Sequence, residues 1–335
     1  MLMNGAFKGY TSPDMYRLTK NLYLIQFRVM KTLPALKIIE KGIKNKQIDR
    51  ETKIIDTSSG TFALGLAMVC NFYNLKLIIV TDPSMDKRLK RRVEDLGAEI
   101  IVVDQPDESG NYQKKRLNIV KKIICGTGKF FYCNQYDNTS NADSYKEISD
   151  SILQTVPFNF TLVGSVGSGG STSGIIKYLR KERPETQLVA VDTFGSVLFG
   201  LKENQRDLRG LGNSIMPKNL KHHYYDEVHW VSAKLAYQWT RTLHKTHGNF
   251  SGGTTGAVFG VGNYLSSRNP DRKYLLIGPD DGTRYIDTIY DDDWLSKKGY
   301  LMTGNEITSP QYIQKGAEAG LDIEWAYTDW GKTEV

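Results

Sequence analysis

The sequence predicts an α/β protein with two doubly wound domains and mainly parallel sheets. From residue 53 onward, short β-rich runs alternate with helical patterns, as in parallel strands joined by crossover helices. The polar stretch 134–143 separates two sets of these units and is a candidate boundary. A length of 335 residues suffices for one large or two moderate domains. We expect a smaller domain at 40–140 and a larger one from 1–39 and 141–335.

The predicted elements follow from hydrophobic spacing. Runs of Ile, Leu and Val predict strands, and apolar residues three or four apart predict helices. In the first half these are strands 53–56, 75–80, 99–103 and 129–132, with helices 62–72, 86–96 and 114–124. In the second half they are strands 160–164, 187–192 and 273–277, with helices 143–153, 175–181 and 233–244.

The composition is that of an ordinary globular protein, with 40% hydrophobic and 24% charged residues. The net charge is +7, but its densest basic run, 87–92, has helical spacing and is interpreted as a solvated helix face, not a nucleic-acid contact. The first 20 residues lack the continuous apolar region of a secretory signal, and no stretch reaches the ~20 apolar residues of a membrane helix. Three cysteines without C-x-x-C spacing predict buried free thiols and a cytoplasmic protein.

A glycine-rich loop ends one of the predicted strands, in the segment FTLVGSVGSGGSTSG at 160–174. A strand, a glycine loop and a helix start present backbone N–H groups that suit a phosphate. A nucleoside-triphosphate loop needs a Lys, which 164–174 lacks, and Thr172 breaks the dinucleotide pattern G-x-G-x-x-G. The loop therefore predicts a phosphate site of another kind.

Two further features have both a structural and a functional interpretation. The turn DTSSGT at 56–61 suits a carboxylate, or simply caps the following helix. Lys31 follows an apolar strand and precedes the helical segment 36–42. Such a Lys is ordinarily a solvated helix start, whereas a buried Lys loses its proton easily and becomes a nucleophile.

Taken in order, these features resemble the pyridoxal-phosphate enzymes of the cysteine synthase and cystathionine β-synthase family, the fold type II or tryptophan synthase β-like group. The resemblance extends from about residue 20 to about 295. Its segments are the Lys helix start at 31–39, the carboxylate loop at 57–62 and the Asn-Gln segment at 134–138. They continue with the phosphate cup at 167–171, the loop and Pro-x-Asn-Leu signature at 210–220, and the closing motif at 279–285.

The resemblance implies the cofactor pyridoxal 5'-phosphate in an interdomain cleft and a role for each matching residue. Lys31 would be the Schiff-base lysine and the general base at Cα. Cofactor binding is further expected of Thr61, Gly167, Ser168, Gly169, Gly170, Ser171 and Asp281. Substrate binding is expected of Ser58, Ser59, Gly60, Phe62, Gln135 and Gly212.

Three residues depart from the family pattern. Thr61 replaces an Asn that bonds the cofactor's phenolic oxygen, and Phe62 replaces a Thr of the carboxylate loop. Asp281 stands where the family has a Ser beside the pyridine nitrogen. A carboxylate there would favour the protonated ring, which is a stronger electron sink.

The resemblance implies a β-replacement synthase that converts an activated L-serine, such as O-acetyl-L-serine or O-phospho-L-serine, into a β-substituted L-alanine such as L-cysteine. The stretch GSVLFG at 195–200 also resembles diaminopropionate-precursor synthases, so a nitrogen nucleophile stays open beside sulfide. The alternatives are a β-elimination lyase, more distantly a racemase, and a catalytically silent binding or regulatory homologue. We expect a homodimer with small-molecule substrates, no nucleic acid and no membrane. The five histidines lack a recognised metal-ligand pattern, so no metal is expected.

Overall fold

The computed structural model describes residues 5–108, 110–208, 210–301, 307–315 and 323–333. It divides into two compact units. The smaller unit contains residues 1–11, 29–145 and 217–219, and the larger unit contains 12–28, 146–216 and 220–335. The sequence-based division placed 1–39 in the larger domain. The contacts place 1–11 and 29–39 in the smaller unit, because the helix that begins at Thr32 packs against the one that begins at Thr61.

Strands and helices alternate along most of the chain. The strands are β1 (Asp14–Arg17), β2 (Leu22–Gln26), β3 (Lys53–Thr57), β4 (Lys76–Thr81), β5 (Glu99–Val102), β6 (Phe130–Tyr132), β7 (Thr161–Ser165), β8 (Gln187–Asp192), β9 (Glu227–Val231), β10 (Tyr274–Gly278), β11 (Gln311–Tyr312) and β12 (Trp325–Asp329). The helices are α1 (Gly5–Thr11), α2 (Thr32–Lys44), α3 (Thr61–Phe72), α4 (Lys87–Asp95), α5 (Tyr112–Ile124), α6 (Thr139–Asp143), α7 (Lys146–Thr155), α8 (Gly170–Glu182), α9 (Ala233–His247), α10 (Gly253–Arg268) and α11 (Asp292–Lys297).

The smaller unit is built on a parallel sheet of four strands in the order β5-β4-β3-β6. Its strands carry apolar side chains on both faces. Ile54 and Ile79 belong to a core shared with α2 and α3, whereas Ile55 and Val80 pack with Val120 of α5. Burial on both faces explains the continuous apolar runs from which these strands were predicted.

The larger unit is built on a mixed sheet in the order β1-β2-β10-β7-β8-β9-β12-β11. The five strands from β2 to β9 in this order are parallel. At one edge of this set β1 pairs antiparallel with β2, and at the other edge β12 pairs antiparallel with β9. The prediction of an α/β protein with mainly parallel sheets is confirmed. The carboxyl ends of β7, β8 and β9 consequently lie along one edge of the sheet.

Helix α10 was not predicted from the sequence, because its glycines resemble a loop. A Cβ at Gly256 would lie 1.9 Å from Thr240 Oγ1, and one at Gly260 would lie 1.9 Å from a ring atom of Trp239. These glycines therefore let α10 approach α9 closely. The cost of glycine in a helix interior, about 1 kcal/mol per residue, is offset by this packing.

Two other predictions need correction. Helix α8 begins at Gly170, five residues before the predicted start, so the glycine loop contributes the helix's first turn. Cys70 and Cys133 are buried free thiols as predicted, but Cys125 is exposed, because it caps the end of α5. The remaining predicted elements occur within a few residues of their expected bounds.

Candidate active site

The phosphate cup, Gly167–Ser171, connects β7 to α8 in the larger unit. Gly169 adopts the left-handed conformation, φ 75°, and caps the helix. A Cβ there would lie 2.5 Å from Leu220 Cα, so only glycine fits this close turn. The first N–H groups of an α-helix have no partner within the helix and carry its positive dipole end. With the buried hydroxyls of Ser168 and Ser171, the cup is suited to a phosphate.

Lys31 lies in the smaller unit, at the residue before α2. Burial lowers the pKa of its amine from 10.5 to about 8. Gly65 allows the Lys31 backbone to lie close to α3, because a Cβ at Gly65 would come within 2.8 Å of Lys31 O. A larger fraction of this amine is neutral near pH 8 than in an ordinary Lys, which suits a nucleophile toward an aldehyde.

The predicted carboxylate loop follows β3 and ends at the start of α3. Gly60 is the residue before the helix, in extended conformation, and Thr61 is its first residue. The Gly60 N–H donates to Ser58 Oγ at 3.1 Å, which shapes the turn. Ser59 and Gly60 are partly exposed at this helix start, where a carboxylate would find N–H donors. Phe62 points into the core of the unit, with 2% of its surface exposed.

Gln135 contacts the first residue of the predicted carboxylate loop, Thr57, and its role in substrate binding stays a prediction. Its Nε2 donates to Thr57 O at 2.9 Å, and its backbone N–H donates to Asp56 Oδ2 at 3.1 Å. Asn219, from the Pro-x-Asn-Leu signature, donates its side-chain N–H groups to the carbonyls of Gln135 and Tyr136. Three of the matching segments thus meet within the smaller unit.

Arg116 is a buried cation that the sequence reasoning did not single out. It lies on α5 and is 6% exposed, with Nε 3.1 Å from Asp82 Oδ2. Its Nη1 is buried without a hydrogen-bond partner among the described residues, as is the hydroxyl of Thr57. Thr57 pairs with Val80, whose side chain packs with α5, so the alternation of strand side chains places Thr57 on the Arg116 face of the sheet. The sequence does contain a signal for Arg116. With Gln113 and Val120 it forms the buried face of the amphipathic helix α5, where a cation is unusual.

The loop that contains Gly212 lies beside the phosphate cup in the larger unit. The Gly212 N–H donates to Val166 O at 2.8 Å, and Asn213 Nδ2 donates to Gly167 O at 3.1 Å. A Cβ at Gly212 would lie 3.0 Å from Oδ1 of Asp192, a buried residue at the end of β8. Burial raises the pKa of the Asp192 carboxyl to about 7.

The closing motif at 279–285 contains a buried carboxyl group, which belongs to Asp280 and not to Asp281, the residue singled out in the sequence. Burial raises the pKa of Asp280 to about 6, and its Oδ2 accepts a hydrogen bond from Tyr285 Oη at 2.6 Å. Asp281 is partly exposed, and its carboxylate accepts the Thr283 N–H at 3.0 Å. Its predicted action on the cofactor ring stays a prediction. The sequence reasoning also missed Ser251, which bridges to Asp281 through its backbone and has a fully buried hydroxyl without a partner among the described residues.

His229 is buried, accepts from Trp325 Nε1 at Nδ1 and bonds Glu227 through Nε2. The described residues contain no group of three or more His, Cys, Asp or Glu side chains that could hold a metal ion. Within the same residues, no helix has the length and apolar character needed to cross a membrane.

Comparison with known proteins agrees with these features. The family model "Pyridoxal-phosphate dependent enzyme" matches residues 17–280. N-(2-amino-2-carboxyethyl)-L-glutamate synthase of Ralstonia nicotianae is 34% identical over 284 residues, which cover 84% of each chain. A hydrogen sulfide-producing enzyme of Fusobacterium nucleatum superposes with a TM-score of 0.78 at 25% identity, over 85% of this chain and all of that one. The O-acetylserine-dependent cystathionine β-synthase of Helicobacter pylori gives 0.77 at 22%, over 86% and 98%.

The fold and the cup define a fold type II enzyme. The chain belongs to the pyridoxal-phosphate dependent enzyme family, and its cofactor is pyridoxal 5'-phosphate. The described residues fit this group. The larger unit has a cradle for the phosphate and an orphaned hydroxyl at Ser251, and the smaller unit has an amine with a lowered pKa at Lys31.

Proposed function

We propose that this protein is a β-replacement synthase that uses O-phospho-L-serine as its donor. In this proposal Lys31 binds the cofactor aldehyde and the cup Gly167–Ser171 binds its phosphate. The turn of Ser58, Ser59 and Gly60 binds the substrate carboxylate. Pyridoxal phosphate, when bound, supplies the electron sink for the carbanion at Cα. Lys31, with a pKa near 8, removes the Cα proton once the substrate has displaced it.

The observation that supports a phosphorylated donor is Arg116. A buried guanidinium whose Nη1 lacks a partner among the described residues is costly, because it has lost its water without gaining a hydrogen bond. Asp82 Oδ2 lies 3.1 Å from Nε as an ion pair, but neither Nε nor Nη1 has a hydrogen-bond partner among the described residues, so both are left for another acceptor. A phosphate ester offers charged oxygens for a guanidinium, whereas an acetyl ester offers only a neutral carbonyl. The leaving group of O-phospho-L-serine therefore complements this position better than that of O-acetyl-L-serine.

The distribution of charge also supports an anionic donor. The smaller unit contains 21 Lys and Arg against 14 Asp and Glu, while the larger unit contains 23 of each. The entire net charge of +7 therefore belongs to the unit that holds Lys31 and Arg116. A positive unit raises the local concentration of anionic substrates.

For the acceptor, we propose the amine of an amino acid. The name of the Ralstonia relative describes a 2-amino-2-carboxyethyl group attached to the nitrogen of L-glutamate, which is the product of such a replacement. Sulfide stays the second candidate acceptor. β-Elimination, in which no nucleophile adds, and a silent homologue stay the alternatives. A homodimer stays a prediction from the family resemblance, and a cytoplasmic location stays one from the cysteines and the N-terminal sequence.

The substitution Arg116→Gln tests the donor. With O-phospho-L-serine, kcat/KM should fall roughly 100-fold, because a charge-assisted hydrogen bond is lost in a buried position. With O-acetyl-L-serine it should change by less than about threefold, because the neutral carbonyl makes no such bond. Arg92→Gln is the matched control, since Arg92 is exposed on α4. Both donors are assayed with sulfide and with L-glutamate, and the products are identified by mass spectrometry.

The results separate the alternatives. An equal loss with both donors would show that Arg116 is structural and would remove the argument for phosphate. Formation of pyruvate without a substituted alanine would assign the protein as an elimination lyase. Lack of turnover with either donor, despite bound cofactor, would favour the silent homologue.

A further inference from the structure

We propose that Asp192 is a positioning residue for the phosphate of the cofactor. It acts through Ser196 and Asn213 on the carbonyl of Gly167, the first residue of the cup. This inference rests on the proposed binding of that phosphate by the cup and is independent of the donor and the acceptor. Asp192 ends β8, and the cup follows β7, which is the parallel neighbour of β8. Both therefore lie at the same edge of the larger sheet.

Three consecutive hydrogen bonds connect Asp192 to the cup. The Ser196 hydroxyl donates to the Asp192 carboxyl, and Ser196 Oγ accepts the Asn213 N–H at 3.1 Å. The side chain of Asn213 then donates from Nδ2 to Gly167 O, also at 3.1 Å. Asp192, Ser196 and Asn213 are all buried, so water does not compete for these bonds. Together the three bonds form the Asp192 network.

Asp192 determines how the hydroxyl of Ser196 is used. A serine hydroxyl has one proton to donate and two lone pairs that accept. Ser196 Oγ accepts two backbone N–H groups, those of Asn213 and of Leu198, the latter at 3.3 Å. The hydroxyl proton then needs an acceptor of its own, and a carboxylate is a stronger acceptor than a neutral oxygen. Asp192 therefore fixes the orientation in which Ser196 holds the Asn213 backbone.

Gly212 allows this segment to lie against the carboxyl. It has φ 73°, and a Cβ there would lie 3.0 Å from both Asp192 Oδ1 and Ser196 Oγ. Its N–H donates to Val166 O at 2.8 Å, at the residue before the cup. Residues 212–213 are thus attached to the start of the cup on one side and to the end of β8 on the other.

The bond from Asn213 fixes the first peptide group of the cup. A trans peptide group is planar, and its C=O and N–H point in opposite directions. While Asn213 Nδ2 holds Gly167 O, the Ser168 N–H must point away from Asn213. A rotation of this peptide group would exchange the positions of the N–H donor and the carbonyl oxygen, and a carbonyl oxygen repels a phosphate. The Asp192 network therefore maintains the donor orientation that an anion requires.

Stability of the fold does not account for the Asp192 carboxyl. A buried charge is costly unless it is paired and hydrogen-bonded, and Oδ2 of Asp192 has no hydrogen-bond partner among the described residues. Polar groups that are buried at such a cost are expected at functional positions. The place of Asp192 at the end of the network gives this carboxyl a role in cofactor binding.

The test compares pyridoxal 5'-phosphate with pyridoxal, which lacks the phosphate, in titrations of the apoenzyme at pH 8. The ratio of the pyridoxal to the pyridoxal-phosphate dissociation constant measures the contribution of the phosphate alone. Asn213→Ala and Ser196→Ala should each lower this ratio about tenfold, because each breaks one bond of the network. Asp192→Asn should lower it about threefold, because the amide oxygen still accepts but carries no charge.

Asp56→Asn is the matched control. Asp56 is an equally buried carboxyl at the end of a strand, but its hydrogen-bond donors are Thr57 and Gln135 of the smaller unit. The ratio should stay within about twofold of the wild-type value in this variant. A double substitution completes the design: in the Asn213→Ala background, Asp192→Asn should have no further effect on the ratio, because the network is already broken.

An unchanged ratio in the three single variants would overturn the proposal, and this includes an equal loss of affinity for both compounds, which a purely structural role would cause. Additive effects of Asp192→Asn and Asn213→Ala would also overturn it. Asp192→Asn keeps the size of the side chain, so it decides the matter even if Ser196→Ala does not fold. If the wild type binds both compounds equally, the assignment of the phosphate to the cup fails; if it prefers pyridoxal phosphate and the variants keep that preference, only the Asp192 network fails.

Discussion

The two units contribute functional groups of different kinds. The smaller unit offers two charged side chains, the partly buried Lys31 and the buried Arg116, and carries the net positive charge. The larger unit offers backbone N–H groups of the cup and has equal numbers of acidic and basic residues. A nucleophile or an anion ligand needs a particular side chain, whereas anchoring a phosphate needs a helix start and a glycine turn. Chemistry on the substrate therefore depends on particular side chains, whereas binding of the cofactor phosphate depends on backbone conformation. Substitutions in the two units should affect these two properties separately.

A closer comparison concerns one aspartate at a strand end in each unit. Asp56 in β3 and Asp192 in β8 are fully buried, and each accepts the N–H of the following Thr, at 2.6 and 2.8 Å. Each carboxyl has a second donor, the Gln135 N–H for Asp56 and the Ser196 hydroxyl for Asp192. Both oxygens of Asp56 are bonded, whereas Oδ2 of Asp192 has no hydrogen-bond partner among the described residues. Burial raises both pKa values to about 7.

The largest effect is expected in the smaller unit, from Lys31→Ala. Turnover should fall by about 10³-fold or more, because nucleophile and base are lost together. Reduction with borohydride followed by peptide mass spectrometry should find the cofactor on Lys31 in the wild type alone. Because the pKa is about 8, the rate of cofactor attachment to the apoenzyme should rise through pH 8 and level off above it. A cofactor adduct on another Lys would contradict the assignment.

The next effect concerns the larger unit's backbone. Gly169→Ala should weaken binding of pyridoxal phosphate roughly 100-fold, since the left-handed turn and the contact with Leu220 both oppose a Cβ. Cofactor fluorescence during titration of the apoenzyme measures this affinity. Gly248→Ala is the matched control: Gly248 has φ 67°, but a Cβ there would meet no atom of the described residues within 4 Å beyond its chain neighbours. Equal losses in affinity from the two substitutions would show that the effect is general instability.

The smallest effect distinguishes the two aspartates. At pH 8 both Asn substitutions remove the cost of a buried charge, but Asp56→Asn should leave the free energy of unfolding about 1–3 kcal/mol lower than Asp192→Asn does, because the amide would face the Gln135 N–H with a donor. Asp192→Asn should be neutral or stabilising, because its second oxygen has no donor to lose among the described residues. Chemical denaturation measures both. Equal destabilisation by the two substitutions would contradict the proposed difference between Asp56 and Asp192.

The same pair has a pH dependence of known sign. The folded carboxyls have pKa values of about 7 against 3.8 in the unfolded chain, so the native state binds more protons between these values. Their contribution to the free energy of unfolding therefore falls from about pH 4 to pH 7 and is constant above. Either Asn substitution should flatten this slope. An unchanged slope in both variants would contradict the assigned pKa shifts.

Strand-helix order and the phosphate cup could be read directly from the sequence, because both depend on local patterns. Buried parallel strands such as β3 and β4 are continuous apolar runs, and a glycine loop before a helix is recognisable by its letters. Lys31 and the carboxylate turn were found by their order relative to the cup. The start of α8 was placed late, since glycine and serine residues disguise a first helical turn.

The fold class and a phosphate-binding loop could thus be predicted from residue type and spacing along the chain, and the identity of the cofactor followed from the family resemblance. Tertiary structure alone decided which polar groups are buried together. Arg116 of α5 lies against Asp82, which follows β4, and the glycines of α10 let this helix pack closely on α9. The reason is that desolvation and close approach depend on neighbours distant in sequence, and those neighbours give an ordinary Arg or Gly its particular role.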